Sequence, residues 1–324
     1  LSLGTLLAGS PARAPEAPAP PADPETLARG RYLVHAGACG SCHTDTWKRG
    51  APLAGGRALK TRFGTFHVPN ITPDRDTGIG GWSTEDFVRA MTEGEMPDGR
   101  HYFPVFPYRW YRNMTRDDLV AMKAYLDTVP PVRNETPEHD LIWPFSIRLS
   151  VWGWKLFNLD DPPPVPEPDD PAVVRGHYLV NALGHCGACH TPSNFFQFYD
   201  DDRPLAGEDA IPGAYTASNI TPHATGIGGW SEDDLVRVMA LGLGPDGAAV
   251  RGPMADYVAD GSQHLTPDDL RAMAAYLKAI PPIERRLDED EETPRVAPEA
   301  LDEAPSGGAL LGADLALGRA VAPK

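Results

Sequence analysis

Positive charge is in short supply in this chain. Across 324 residues, 29 Lys and Arg stand against 45 Asp and Glu, a formal net charge of −16. Nucleic-acid phosphates need a basic patch, so that class of partner is excluded. The balance suits steering towards positively charged protein surfaces, or plain solubility. Long apolar runs are also scarce. Leu141 to Phe157 is apolar and aromatic enough to raise a membrane question, but Pro144, Arg148 and Lys155 argue against a spanning helix. This stretch reads as a cover packed between domains, with membrane-surface or partner contact as the other readings. No segment sustains strand alternation, so a mainly α fold is expected. Cysteine is limited to four residues.

All four cysteines fall into two pentapeptides, Cys39-Gly40-Ser41-Cys42-His43 and Cys186-Gly187-Ala188-Cys189-His190. Each spells C-x-x-C-H, the attachment site of a c-type haem. Thiols one helical turn apart form thioethers to the two vinyl groups of one porphyrin. The adjacent histidine then faces the iron. Disulfides at this spacing are strained, and a four-cysteine zinc site leaves both histidines without a role. Two covalently bound haem c groups are therefore expected. The 35 prolines and 32 glycines mark much of the remainder as turns and loops. Small haem domains fit this composition, because the porphyrin supplies much of the apolar core.

The chain repeats itself. Gly30-Arg-Tyr-Leu-Val34 answers Gly176-His-Tyr-Leu-Val180, and Asn70-Ile-Thr-Pro73 answers Asn219-Ile-Thr-Pro222. Thr77-Gly-Ile-Gly-Gly-Trp-Ser83 answers Thr225 to Ser231. Asp117-Asp-Leu119 with Ala124-Tyr-Leu126 answers Asp268-Asp-Leu270 with Ala275-Tyr-Leu277. The offset stays between 146 and 151 residues, too long for a solenoid repeat, so two copies of one domain are expected. The boundaries read as domain 1 over 24–135, an aromatic covering segment and Pro-rich linker over 136–170, and domain 2 over 171–283. Residues 284–324 read as an acidic, solvated tail.

Residues 1–23 read as a signal-peptide or anchor remnant followed by a Pro-rich linker. Haem is attached to c-type cytochromes outside the cytoplasmic membrane. A periplasmic location is therefore expected, with possible membrane attachment through the N-terminus. Within each copy the expected order is helix, haem motif, long loop, helix, loop, helix. The first helices run from about Pro24 to His35 and from about Pro171 to Ala182. Ser83 and Ser231 cap the middle helices, and Thr115 and Thr266 cap the last ones.

His43 and His190 are the proximal iron ligands. Each can donate its Nδ1 proton to a backbone carbonyl, with the repeated Pro-Leu-Ala-Gly (Pro52 to Gly55, Pro204 to Gly207) as candidate supplier or as a simple turn. The opposite ligand is usually methionine or histidine. Of seven methionines, Met91, Met239, Met122 and Met273 sit at paired apolar helix positions and read as core. Met254 remains in the second copy, in an Arg-Gly-Pro-Met loop. Met114, just ahead of the Thr115 cap, is preferred over Met96 in the first copy. His67 and His101 are the rival loop histidines. Trp82 and Trp230 read as propionate donors or as core.

The run Asn70 to Phe87, the Phe-Pro-Tyr stretch at 106–108 and the closing Asp-Asp-Leu…Ala-Tyr-Leu helix resemble the haem c domains of cytochrome subunits of bacterial membrane-bound alcohol and gluconate dehydrogenases. The resemblance covers roughly residues 25 to 282. It implies tandem class I-like cytochrome c domains, and Cys39, Cys42, His43, Cys186, Cys189 and His190 as haem-binding residues. It implies Met254 through its Gly-Pro-Met loop, and Met114 through its place before the last helix. Such subunits usually carry three haem motifs; this chain has two and resembles a dihaem relative with its own partner.

The expected function is single-electron transfer between a dehydrogenase or quinone-linked complex and a cytochrome or terminal oxidase. A haem closed by methionine has no open position for substrate, so no catalytic residue is assigned. The rival is a dihaem enzyme of peroxidase type, which needs one haem able to open. A cysteine-ligated version has no spare cysteine to use. A third reading, compatible with the first, is a docking subunit of a larger complex.

Overall fold

The computed structural model describes residues 22–159, 161–211 and 215–287. The expected signal or anchor segment and the acidic run Asp288 to Glu292 lie outside them. The described chain is mostly helical. A first set comprises α1 (Pro24–Ala36), α2 (Cys39–His43), α3 (Thr84–Glu93), α4 (Tyr108–Tyr111) and α5 (Arg116–Leu126). The connector carries α6 (Leu149–Asn158). A second set comprises α7 (Pro171–Tyr178), α8 (Gly187–His190), α9 (Glu232–Leu241), α10 (Pro253–Asp260) and α11 (Pro267–Ala279).

Local chemistry explains the helix starts. Asp23 accepts the backbone N–H of Glu25 and Thr26 at the head of α1, and Asp170 does the same for Ala172 and Val173 at α7. Proline fills the first turn of both. Ser83 with Asp86, and Ser231 with Asp234, close reciprocal capping boxes on α3 and α9. The second long helix is less regular than expected. After Tyr178 it widens into a π turn over Leu179–Leu183, which Gly184 closes by donating to the Leu179 carbonyl at 2.7 Å.

Short strands are present although no alternation announces them. β1 (Ala58–Thr61), β2 (Gly64–His67) and β3 (Asp140–Leu141) form an antiparallel sheet, with Leu59 opposite Phe66 and Gly64 opposite Leu141. β4 (Glu208–Ile211) and β5 (Tyr215–Ala217) pair as a second, two-stranded sheet. Strands of two to four residues are too short for a period to register.

In each set the first and last helices cross at a glycine. A side chain on Gly30 would overlap the Ala121 carbonyl, and one on Gly176 would overlap that of Ala272. Backbones this close leave no room for a Cβ. Gly30→Val or Gly176→Val should therefore lose about 3 kcal/mol or more, read as a lower urea midpoint of the holoprotein. The core is not divided between the sets. Leu33, Leu119 and Met122 belong to the same contiguous cluster as Leu179, Val180, Leu270 and Met273.

A reciprocal polar contact accompanies that shared core. Tyr178 donates to Asp118 at 2.5 Å, and Arg29 pairs with the same carboxylate at 2.5 Å. In the mirror position, Tyr32 donates to Asp269 at 2.5 Å and Arg175 pairs with it at 2.8 Å. Each tyrosine reaches across to the aspartate of the other set. These are the second aspartates of the repeated Asp-Asp-Leu. Thr115 and Thr266 cap their helices by accepting a backbone N–H only.

Candidate functional site

The first motif forms a single helical turn, α2. Ala38 enters it in the left-handed region, φ 53°, and Thr44 closes it by donating to the Gly40 carbonyl at 3.0 Å. Cys39, Cys42 and His43 thus share one short helix. The second motif repeats this geometry, with Cys186 as the residue capping α8 and Thr191 donating to Gly187 at 3.2 Å. Among the described residues all four thiols are free, and no group of three or more His, Cys, Asp or Glu side chains is arranged to hold a metal ion.

Each motif histidine is oriented by one backbone carbonyl. His43 Nδ1 lies 2.7 Å from the Pro69 oxygen, and His190 Nδ1 lies 2.7 Å from that of Ser218. A proton on Nδ1 leaves the Nε2 lone pair for a metal. The supplier is therefore the residue ahead of Asn-Ile-Thr-Pro, and not the Pro-Leu-Ala-Gly segment. That segment holds the histidine's main chain instead. Gly55 donates to the His43 carbonyl at 2.7 Å and Gly207 to that of His190 at 2.6 Å. Leu53 and Leu205 donate to the hydroxyls of Thr44 and Thr191 at 3.1 and 3.2 Å.

Asn70 fixes the supplying loop. Its amide donates to the Val132 carbonyl at 2.7 Å, and its oxygen accepts from the Thr72 backbone and hydroxyl. Asn219 repeats this with Ile283 at 2.9 Å and with Thr221. Both asparagines are buried, so removal leaves several backbone groups unpaired. Asn219→Ala should cost about 2–3 kcal/mol and broaden the haem absorption, as the Ser218 carbonyl loses its support. Unchanged denaturation and spectra would refute this role.

Burial dominates the electrostatics. It pushes the Cys39 and Cys186 thiols up to about 12 and holds His43 down to about 4, so that imidazole is neutral at pH 7. His190 is lowered for the same reason. Yet both histidines are only half-buried and Cys42 is exposed. The motif side chains are thus crowded by neighbours yet open to solvent. The Tyr257 hydroxyl, beside Gly184 and Cys186, is buried without a partner. An accessible pair of thiols, a neutral imidazole with a free Nε2 and a polar atom left open all fit a covalently attached haem.

Met91, Met122, Met239 and Met273 are buried in the shared core. Met114 is buried in that core too, immediately before α5. Met96 is half-buried in the turn after α3. Met254 is half-buried and stands on the first turn of α10, not in a loop. Of the rival histidines, His101 is 2.8 Å from Lys155 Nζ, and His67 donates its backbone N–H to His139. Trp82 and Trp230 pack, partly buried, on the core.

Several residues around the motifs carry no sequence-level expectation. Arg57 donates to the Ser41 carbonyl and pairs with Asp256 of α10 at 2.6 Å. Gly261, just after α10, lies against Ala38 at the entry to α2. Trp110 of α4 lies against Gly187 of the second motif. Each motif is thus flanked by a helix of the other set. Burial first, and Cys42 second, push the Cys189 thiol up to about 11. The Cys-His-Thr continuation common to both motifs is a sequence signal for the Thr44 and Thr191 contacts.

Fold and site together describe a helical protein with two haem-attachment sites. No family model matches the chain. It is 43% identical to a dihaem cytochrome c-type protein of Cereibacter sphaeroides, over 81% of this chain and 90% of the relative. It is 38% identical to the cytochrome c subunit of a quinone-dependent alcohol dehydrogenase of Gluconobacter oxydans, over 81% of this chain and 56% of the relative. It is 39% identical to the gluconate 2-dehydrogenase cytochrome c subunit of Pantoea cypripedii, over 78% of this chain and 59% of the relative. The chain spans little more than half the length of those two dehydrogenase subunits. It belongs to the dihaem c-type cytochromes and carries two covalently bound haem c groups. Its role is that of an electron-transfer cytochrome.

Proposed function

We propose that the chain relays single electrons from a periplasmic or membrane dehydrogenase, or a quinone-linked complex, to a downstream cytochrome or terminal oxidase. In this reading residues 24–135 and 171–283 are two tandem class I-like cytochrome c domains with long loops. Cys39, Cys42, Cys186 and Cys189 carry the thioethers. His43 with Met114, and His190 with Met254, would hold the two haem irons. Haem supplies the Fe(II)/Fe(III) couple, and methionine opposite histidine favours its reduced state.

The observation that carries the reading is that each motif is flanked by a helix of the other set, α10 beside the first and α4 beside the second. The chain's residues act by position. The Pro69 and Ser218 carbonyls hold the two imidazoles. The tyrosine–aspartate contacts and the shared core hold the sets together, and the methionines close the sixth positions. Relatives named as cytochrome subunits of alcohol, gluconate and fructose dehydrogenases support a dehydrogenase as donor. Covalent haem c supports a periplasmic site. Among the described residues no helix is long and apolar enough to cross a membrane.

Carbon monoxide and hydrogen peroxide separate this relay from a peroxidase-like enzyme. The reduced holoprotein should bind no carbon monoxide without denaturant and should not turn over peroxide. Rapid turnover, or carbon monoxide binding at one haem, contradicts the relay.

A further inference from the structure

α6 is apolar on both faces. Val151 and Trp154 are buried beneath it, where Trp154 donates to the Gln197 carbonyl at 3.0 Å. The opposite stripe, at helical spacing, is Leu149, Trp152, Leu156 and Phe157, with exposures of 77%, 55%, 60% and 71%. A helix apolar all round is normally covered on every side. Trp143, 81% exposed, lies shortly ahead of α6 in the chain, and the exposed Phe195 and Phe196 pack on Phe145 of the same segment. Among the described residues these side chains are an exposed apolar group in a chain otherwise rich in charge.

The charge pattern says what covers it. The chain carries 45 Asp and Glu, yet none lies between 141 and 159 or between 192 and 199. A basic protein, which an acidic chain attracts elsewhere, finds no carboxylate to pair with here. A bilayer boundary suits the face better. Burying a carboxylate in it is costly, tryptophan favours the headgroup level, and long cations at the edge reach phosphates. Arg62 stands over the exposed Phe195 ring.

We infer that Trp143, Leu149, Trp152, Leu156 and Phe157 seat the protein on a phospholipid bilayer, lying in the headgroup–acyl boundary without spanning it. This seating is independent of the electron-relay reading and of any anchor in residues 1–23. It stands on apolar burial, so neutral lipid suffices and the net charge of −16 weakens rather than strengthens binding to anionic lipid.

The test is flotation of the holoprotein with vesicles of phosphatidylcholine, alone or with phosphatidylglycerol. The comparison is the triple variant Trp143→Ser, Leu149→Ser, Trp152→Ser. These side chains are exposed, so haem absorption and the denaturation midpoint should stay unchanged. The wild type should bind phosphatidylcholine with little salt dependence, and the variant should partition about tenfold more weakly or worse. The inference is overturned if the wild type ignores phosphatidylcholine, or binds only anionic vesicles and releases in salt. It is overturned as well if the variant binds equally, which places the contact elsewhere. A lipid-free dimer abolished by the triple variant assigns the face to a second copy and overturns it too.

Discussion

Met254→Ala should remove about half of the far-red sulfur-to-iron charge-transfer band of the oxidised holoprotein. It should also lower one of the two midpoint potentials by on the order of 0.1 V, a fraction of the roughly 0.8 V that axial ligands span. Thioether sulfur stabilises Fe(II), and water or hydroxide in its place does not. Met114→Ala should remove the other half and lower the other potential. Met96→Ala should change neither. The substitutions are separable because the methionines occupy different environments. Met254 is half-buried at the start of α10, whereas Met114 is 6% exposed between α4 and α5. A spectrum unchanged by Met114→Ala would move the first ligand to Met96 or to a histidine.

A loss of stability comparable to that of the glycine substitutions follows from Asp118→Ala. Its side chain is 1% exposed and receives both Arg29 and Tyr178. Arg29 remains half in water, so most of the cost falls on the half-buried tyrosine hydroxyl and the space left behind. We expect about 3 kcal/mol, measured by urea denaturation. Asp269→Ala should behave alike. Burial opposes ionisation of Asp269, but Arg175 and Tyr32 outweigh it and hold its carboxyl below the ordinary range. A carboxyl lowered in the folded state stabilises above its unfolded pKa, near pH 4, and loses that contribution as pH falls through its folded pKa. The contact of Tyr32 and Arg175 with Asp269 should therefore be firm at neutral pH and weaken in acid. Tyr32→Phe should reduce this acid sensitivity, because it removes a donor to the ionised Asp269.

What was legible in the sequence was mostly local. Asp23-Pro24, Ser83…Asp86 and Ser231…Asp234 announce helix starts because their hydrogen bonds close within one turn. The haem motifs are legible for the same reason. The small sheets are not, since β2 depends on β3, a partner far along the chain. Nor is the source of the carbonyls at His43 and His190. A loop returning from Pro69 or Ser218 decides it, although the repeated Asn-Ile-Thr-Pro beside that loop marks the place. The repeat also hides a pairing. Tyr32 and Tyr178 are visible as equivalents, and so are Asp118 and Asp269. A repeat cannot say that each tyrosine bonds the aspartate of the other copy. The covering reading of residues 141–157 describes one face of α6, which packs through Val151 and Trp154. The exposure of its other face depends on what surrounds the helix, which composition alone does not reveal.

The proposed relay requires that the two haems of one chain exchange electrons directly. Rapid partial reduction of the fully oxidised holoprotein, followed at wavelengths that distinguish the haems, tests it. Electron redistribution between them should be first-order, with a rate independent of protein concentration. A redistribution rate that rises in proportion to concentration would mean that electrons pass between molecules, and would contradict the claim.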